Sequence, residues 1–119
     1  MRPKDELGRR GEDLAAEHLT GAGLTLVERN WRCPAGEIDI VAVDGGTLVL
    51  VEVKTRTSTA YGHPFEAITP GKLRRLHLLA GSWFEVREAG RRRPFRVDVV
   101  GIIWPTLGDP NVQHLRGVS

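Results

Sequence analysis

Cysteine and long apolar segments are both scarce in this chain, and each scarcity excludes a class of protein. Cys33 is the only cysteine among 119 residues, which excludes an internal disulfide and a zinc site built from cysteines. No apolar run approaches the length of a membrane span, and residues 1–6 carry no apolar signal-peptide segment. We therefore expect a cytoplasmic protein with no membrane partner. At this length we expect one domain, spanning residues 1–119.

Lysine is also rare, and arginine carries most of the positive charge. Of the 17 basic residues, 14 are arginine, and the net charge is only +2. Several arginines are clustered, at 9–10, 74–75 and 91–93. Because the guanidinium fork matches phosphate oxygens, such clusters point to nucleic acid. Solvated helix faces and loops explain the same clusters, and on charge alone that explanation is the better one.

Hydrophobic periodicity and turn residues predict two helices and at least four strands. The sequence Asp44-Gly45-Gly46 predicts a tight hairpin, and Thr69 followed by Pro70 predicts the start of the second helix. The predicted segments are a helix over 5–20, strands over 24–31, 36–43 and 47–54, a polar loop over 55–68, a helix from Pro70 to Ala89-Gly90, a strand over 95–103 and a candidate short strand over 112–115.

The order helix, three strands, helix, strand predicts an α/β fold with a mixed β-sheet flanked by helices. Three antiparallel strands come first, and a helix then leads to the next strand. The crossover through that helix should be right-handed and should place the fourth strand parallel to the third.

Charged residues interrupt the two strands of the hairpin where apolar residues are expected. Glu37 and Asp39 share one face of the first strand, and Glu52 and Lys54 share one face of the second. A two-residue turn at Gly45-Gly46 sets Asp39 opposite Glu52 and Glu37 opposite Lys54. A turn at Asp44-Gly45 sets Glu37 opposite Glu52, and a three-residue loop sends the acids to opposite faces. Two of these three registers bring the acids together.

Carboxylates that face each other destabilise a sheet unless a cation lies between them. Two carboxylates suit Mg²⁺ or Mn²⁺, with water and a substrate phosphate as the remaining ligands. Lys54 then lies beside the metal, where it could orient the attacking water and offset charge on the phosphate. The alternative is a ladder of salt bridges in which Lys54 pairs with Glu37 or Glu52 and no metal binds.

The combination of Gly36-Glu37-Ile38-Asp39, a short turn and Val51-Glu52-Val53-Lys54 resembles the restriction-endonuclease-like PD-(D/E)xK nuclease superfamily. More narrowly, the chain resembles the uncharacterised YraN-like bacterial family, which is distantly similar to archaeal Holliday-junction resolvases. Further motifs that carry this resemblance are Gly8-Arg9-Arg10-Gly11-Glu12, Thr55-Arg56, Tyr61-Gly62, Lys72 and Arg96-Val97-Asp98-Val99-Val100. The resemblance implies that Asp39 and Glu52 bind the metal, that Lys54 is the catalytic lysine and that Glu12 is a further catalytic and metal-binding carboxylate. The chain departs from the superfamily pattern at Ile38, where proline usually precedes the aspartate.

Other residues are candidates for binding a nucleic acid. Lys72, in the first turn of the second helix, could bind phosphate together with free backbone N–H groups, although an exposed lysine explains it as well. Arg56 leaves the charged strand within a run of small donors, and Tyr61 could stack on an unpaired base, although a partly packed tyrosine is the more ordinary explanation. Arg9 and Arg10 belong to the basic motif of the first helix.

These observations favour a metal-dependent endonuclease that recognises the shape of DNA, because the chain has no spare length for a sequence-reading domain. The similarity to resolvases also suggests a homodimer. One alternative is a module of the same fold that binds nucleic acid without cutting it. Another is a structural protein whose acids form internal salt bridges.

Overall fold

A computed structural model describes the chain from residue 3 to residue 118, with side chains from residue 6 onward. Five strands form one sheet in the order β1-β2-β3-β4-β5, and every pair of neighbours is antiparallel except the parallel pair β3–β4. The elements are α1 (Pro3–Gly21), β1 (Thr25–Cys33), β2 (Gly36–Asp44), β3 (Thr47–Arg56), a 3₁₀ turn (Pro64–Ala67), α2 (Pro70–Arg87), β4 (Phe95–Ile103) and β5 (Asn111–Leu115).

This architecture confirms the predicted α/β fold with a mixed sheet, and it confirms the parallel fourth strand. The candidate strand near the C-terminus is confirmed as a fifth strand, which pairs with β4 from Ile103↔Asn111 to Val99↔Leu115. One detail differs from the prediction. The loop expected over 55–68 is shorter, because β3 continues to Arg56 beside β4 and because His63 caps a 3₁₀ turn. Within residues 3–118, no helix is long and apolar enough to cross a membrane.

The turns follow from residues that tolerate their backbone angles. Asp44 pairs with Thr47, so Gly45 and Gly46 form the two-residue turn of the hairpin, and Gly45 has a φ of 61°. Such a positive φ is natural for glycine in a hairpin turn. At the start of α2, the Thr69 side chain accepts a hydrogen bond from the N–H of Lys72 at 3.1 Å. The predicted N-cap and hairpin turn are both confirmed.

The sheet lies between the two helices, and each face has its own hydrophobic core. On one face, Leu48 and Leu50 of β3 pack in a cluster with Leu76 and Phe84 of α2. On the other face, Val49 and Val51 pack in a cluster with residues of α1, among them Ala15 and Leu19. Because β-strand side chains alternate, β3 contributes to both cores. The charged strand end beyond Val51 therefore belongs to a strand that is covered on both sides.

The sheet forks at one end, and this fork creates the main cleft. Pairing of β2 with β3 runs from Asp44↔Thr47 to Ile40↔Val51. Beyond that point, β2 stays with β1 as far as Cys33↔Gly36, whereas β3 stays with β4 as far as Arg56↔Ile103. Ile40 belongs to the core under α1, but Ile38, two residues away, belongs to the core under α2. The alternation of β2 is therefore interrupted at Asp39, where the two arms of the sheet separate.

A close contact between α1 and β3 fixes the depth of the cleft. A Cβ atom on Gly11 would collide with Thr55 Oγ1 and would lie 2.9 Å from Thr55 Cβ and 3.0 Å from Thr55 Cγ2. Only glycine lets the helix come this near to the strand. The next residue of α1, Glu12, is thereby held against the fork.

Candidate active site

The cleft at the fork has a volume of about 780 Å³ and is lined mainly by charged and polar side chains. Four elements contribute the polar lining: Arg9 and Glu12 from α1, Asn30 and Arg32 from β1, Glu37 and Asp39 from β2, and Lys54, Thr55 and Arg56 from β3.

Asp39 lies where β2 and β3 separate, and its side chain bonds to the backbone of β3 where the β2–β3 ladder has ended. Its Oδ2 accepts a hydrogen bond from the N–H of Val53 at 2.8 Å. Burial first, then the charge of Glu52, and to a smaller extent the charges of Glu12 and Glu37, together raise the pKa of Asp39 to about 7. The Val53 hydrogen bond opposes these effects without overcoming them. At neutral pH the ionised form of Asp39 is therefore held at a cost in free energy.

Ile40 and Val51 are the last pair of the β2–β3 ladder; Asp39 precedes Ile40 in β2, and Glu52 follows Val51 in β3. The pairing Ile40↔Val51 is the register that the two-residue turn predicts, and it sets Asp39 and Glu52 at the same level of the fork. Glu52 is only 8% exposed. Its Oε2 lies 3.1 Å from the Nζ of Lys72 in α2. Of the described residues, Glu52 is not among those that line the cleft, because its side chain turns toward α2.

Lys54 lines the cleft and is only partly exposed, yet it forms no ion pair or hydrogen bond with any described residue. The predicted ladder in which Lys54 pairs with Glu37 or Glu52 is therefore wrong. Glu37 instead pairs with Arg32, at 2.6 Å between Oε2 and Nε, and Glu52 pairs with Lys72. These two cations leave the ammonium group of Lys54 available in the cleft.

Glu12 is 9% exposed and is held by two neighbours on β1. Its Oε1 accepts hydrogen bonds from Arg29 Nε at 2.9 Å and from Asn30 Nδ2 at 3.0 Å. Asn30 has a φ of 55°, a left-handed conformation within a strand. Asparagine tolerates this region better than most residues, and such strain collects at functional sites. The sequence pattern did not indicate Arg29 or Asn30, because neither belongs to the charged hairpin.

The donor set can be compared with the needs of a metal ion. Among the residues that the structure describes, no group of three His, Cys, Asp or Glu side chains is arranged to hold a metal. Mg²⁺ nevertheless binds through one or two carboxylates and completes its octahedron with water and substrate phosphates. Asp39 and Glu52 supply hard oxygen ligands of this kind. Besides burial, the charge of Glu52 raises the pKa of Asp39, and a divalent cation at the fork would relieve this repulsion.

The predicted nucleic-acid-binding residues fall into two groups. Arg9 and Arg56 line the cleft, and the buried Nε of Arg56 has no hydrogen-bond partner in the described chain.

The other three predicted residues lie outside the cleft lining. Arg10 stacks over the Trp104 ring at 4.3 Å, Lys72 pairs with Glu52, and Tyr61 is 93% exposed on its loop. Tyr61 is therefore not the partly packed residue that ordinary packing predicts. Arg32 lines the cleft and was not among the predicted residues.

A second buried aspartate belongs to a different kind of cluster, here named the Asp98 cluster. It consists of Asp98, Arg96, His114 and the N–H of Gly117. Asp98 is fully buried and accepts hydrogen bonds from Arg96 Nε at 2.9 Å, His114 Nε2 at 2.8 Å and Gly117 N at 3.0 Å. This arrangement pairs the buried charge of Asp98 with Arg96, and it links β5 to β4 through His114.

Comparison with known proteins places these features in a family. A family model described as "Uncharacterised protein family UPF0102" matches residues 11–102. The chain belongs to the UPF0102 family. This membership confirms the resemblance to the YraN-like family. The segment that the UPF0102 model matches contains Glu12, Asp39, Glu52, Lys54 and Lys72, and it ends before β5.

Relatives with the printed name "UPF0102 protein" match the chain over its whole length. One from Arthrobacter sp. is 59% identical over 120 residues, covering 100% of both chains. One from Clavibacter michiganensis subsp. michiganensis is 56% identical over 116 residues, covering 98% of both. One from Streptomyces coelicolor is 50% identical over 120 residues, covering 100% of this chain and 92% of the relative. UPF0102 membership carries no activity with it, so the function has to be argued from the cleft.

Proposed function

We propose that this protein is a metal-dependent endonuclease that hydrolyses phosphodiester bonds in DNA and selects its substrate by shape. One observation carries the proposal. At the fork of the sheet, burial and the charge of Glu52 raise the pKa of Asp39, and the unpaired ammonium of Lys54 lines the same cleft as Asp39. Perturbed acids beside a lysine in a cleft are typical of catalytic sites.

The chain's own residues have distinct roles in this proposal. Asp39 and Glu52 would hold Mg²⁺ or Mn²⁺, with Glu12 as the third carboxylate of the set. When bound, the ion supplies a Lewis acid that offsets negative charge on the phosphate. Lys54 would orient the attacking water and stabilise the charge that develops on the phosphate oxygens. Arg9 and Arg56, at the cleft wall, would hold the backbone of the substrate.

The choice of substrate and the setting are also part of the proposal. Contacts to phosphate fix position without reading sequence, so selectivity would depend on DNA shape, such as branches or flaps. The exposed ring of Tyr61 is suited to stacking on an unpaired base. The resemblance to the restriction-endonuclease-like superfamily and to resolvases supports a homodimer, since two cuts on a symmetric junction need two sites. We place the protein in the cytoplasm.

A binding module without cleavage is the second candidate, and two ion pairs favour it. Glu52 already has Lys72 as a partner, and Glu12 already has Arg29. A chain that used these acids only to stabilise its fold would show the same pairs. Such a protein would bind nucleic acid through its arginines and leave it intact.

Cleavage assays separate the two candidates. We expect Mg²⁺- or Mn²⁺-dependent cutting of branched, flapped or single-stranded DNA by the wild-type chain, reduced at least about 100-fold in Glu52→Gln and Lys54→Ala. Glu85→Gln, on the exposed side of α2, is the matched control and should cut normally. Cutting that survives both site substitutions would refute the assignment of the site. Tight binding of all three DNAs without any cutting would favour the binding module.

A further inference from the structure

The ion pair between Lys72 and Glu52 joins α2 to the charged end of β3. The two groups approach to 3.1 Å, and the Glu52 side chain is 11% exposed whereas that of Lys72 is 39% exposed. Glu52 is thus fixed within the fold, and Lys72 reaches it from a surface where the lysine side chain can also extend into water. The pair is asymmetric, because only the cation is free to leave.

The position of Lys72 makes this pair more than an ordinary surface contact. Thr69 caps α2, and Lys72 is the third residue of the helix. The positive end of the helix dipole disfavours a cation at that place and favours an anion. Lys72 therefore depends on the carboxylate of Glu52 for its stability there, and Glu52 depends on Lys72 to offset the charge of its acidic neighbours.

Lys54 provides the contrast within the same strand end. It is two residues from Glu52, yet it makes no ion pair with any residue in the described part of the chain. The carboxylate of Glu52 thus has one cationic partner, and that partner belongs to the helix.

We propose that Lys72 is a built-in counter-ion of Glu52, which a divalent cation displaces when it binds at the fork. The released ammonium then lies at the positive end of α2, where it receives a phosphate of the substrate. This inference rests on the proposed function, because it needs a metal at Glu52. It also makes metal binding and substrate binding mutually reinforcing, since each favours the state in which Lys72 has left Glu52.

Titration with Mn²⁺ in the absence of nucleic acid tests the displacement. Binding would be measured by calorimetry and by the shift in melting temperature, on the wild-type chain and on Lys72→Met, Lys54→Met and Glu52→Gln. In the wild type, Mn²⁺ has to break the partly exposed Lys72–Glu52 ion pair before it binds, and this weakens its binding. Lys72→Met has no such pair, so we expect its dissociation constant for Mn²⁺ to be lower by about three- to tenfold. Lys54→Met removes the same charge without freeing Glu52, and its effect should be clearly smaller.

Each outcome has a defined meaning. If Lys72→Met and the wild type bind Mn²⁺ equally, and Glu52→Gln does not bind, the metal site of the proposed function stands and the counter-ion role is wrong. The counter-ion role is also wrong if Lys72→Met binds Mn²⁺ more weakly than the wild type. The same holds if Lys54→Met gains as much affinity for Mn²⁺ as Lys72→Met does. If none of the four proteins binds Mn²⁺, both proposals fail.

Chemical labelling of lysine gives a second readout on the wild-type chain. An ion-paired ammonium reacts slowly with an amine-directed ester, so Mn²⁺ should raise the labelling of Lys72 about threefold or more, as scored by mass spectrometry of the peptide. In Glu52→Gln the labelling of Lys72 should already be fast and should not respond to Mn²⁺. If saturating Mn²⁺ leaves the labelling of Lys72 in the wild type unchanged, Mn²⁺ does not displace Lys72 from Glu52.

Discussion

Asp39 and Asp98 both lie within apolar strands of the sheet, and their surroundings have opposite effects on their charge. Asp98 is fully buried and receives hydrogen bonds from Arg96, His114 and Gly117. Burial alone would raise the pKa of Asp98, but these bonds hold it below its usual value. Asp39 receives one backbone hydrogen bond and faces other acids, and its pKa is raised to about 7.

The difference separates stability from function. A buried carboxylate with three donors contributes to the fold, because its charge is satisfied where it lies. A carboxylate whose charge is disfavoured costs free energy in the isolated chain, and either protonation or a bound cation relieves that cost. The comparison therefore favours the fork, and not the Asp98 cluster, as the place where the proposed metal would bind.

The largest expected change in the free energy of unfolding concerns Asp98, whose charge is fully paired. Asp98→Ala leaves the guanidinium of Arg96 and two further donors without their buried acceptor. Breaking a buried pair in this way costs about 3–5 kcal/mol in the free energy of unfolding. Denaturant titration measures the loss, and Asp109→Ala, an exposed aspartate in the loop before β5, is the control that should change stability by less than about 0.5 kcal/mol. A loss no larger than that of the control would show that the Asp98 cluster is not structural.

A second effect tests how rigidly the fork is built. Gly11→Ala drives a methyl group into Thr55, so we expect about 1–3 kcal/mol of destabilisation from overpacking. Gly8→Ala lies in the same helix with open space around the new methyl group, and it should be neutral or slightly stabilising. The double variant with Thr55→Ala should recover part of the loss. If Gly11→Ala and Gly8→Ala have equal stability, the helix is free to move away from β3.

Asp39→Asn should raise the free energy of unfolding at neutral pH, whereas Asp98→Ala should lower it. Below about pH 4, Asp39 is protonated in both the folded and the unfolded chain and contributes no pH dependence. Between pH 4 and 7 the unfolded chain loses its proton first, because the folded pKa is about 7, so stability falls as the pH rises through that window. Above pH 7 the full cost is present.

The variant lacks this cost, so above pH 7 it should be more stable than the wild type by about 1–2 kcal/mol, or roughly 4–8 °C in melting temperature. At pH 4 the two should melt together. Melting curves at pH 4 and pH 8 without metal make the comparison. A variant that is less stable than the wild type at pH 8 would mean that the Asp39 carboxylate is structural, like that of Asp98.

The sequence predicted the fold well where local chemistry decides it. The two-glycine turn fixed the register of the hairpin, and Thr69-Pro70 fixed the start of α2. The strand β5 was only a candidate, because a short edge strand with exposed alternate residues has little hydrophobic signal. The level of Asp39 and Glu52 at the fork followed from the register, which is a local property.

Side-chain partners were less predictable, because they depend on contacts between distant segments. Lys72 was a candidate either for binding phosphate or for an exposed lysine, and the structure pairs it with Glu52 across 20 positions of the chain. Arg29 and Asn30 hold Glu12 through a strand that carries no motif. Nothing in the sequence indicated that β2 separates from β3. Ile38 and Ile40 are spaced as in a regular strand, where both would face the same core, but in the structure they face different cores.

The smallest expected effect concerns Asn30, where strain and bonding oppose each other. Asn30→Gly relieves the left-handed backbone at 55° but removes the hydrogen bond to Glu12. Each contribution is about 1 kcal/mol, so the free energy of unfolding should change little. Asn30→Ala removes the bond and keeps the strain, and it should be less stable than Asn30→Gly by about 1 kcal/mol. If both variants unfold at the same denaturant concentration, the left-handed backbone at residue 30 costs nothing.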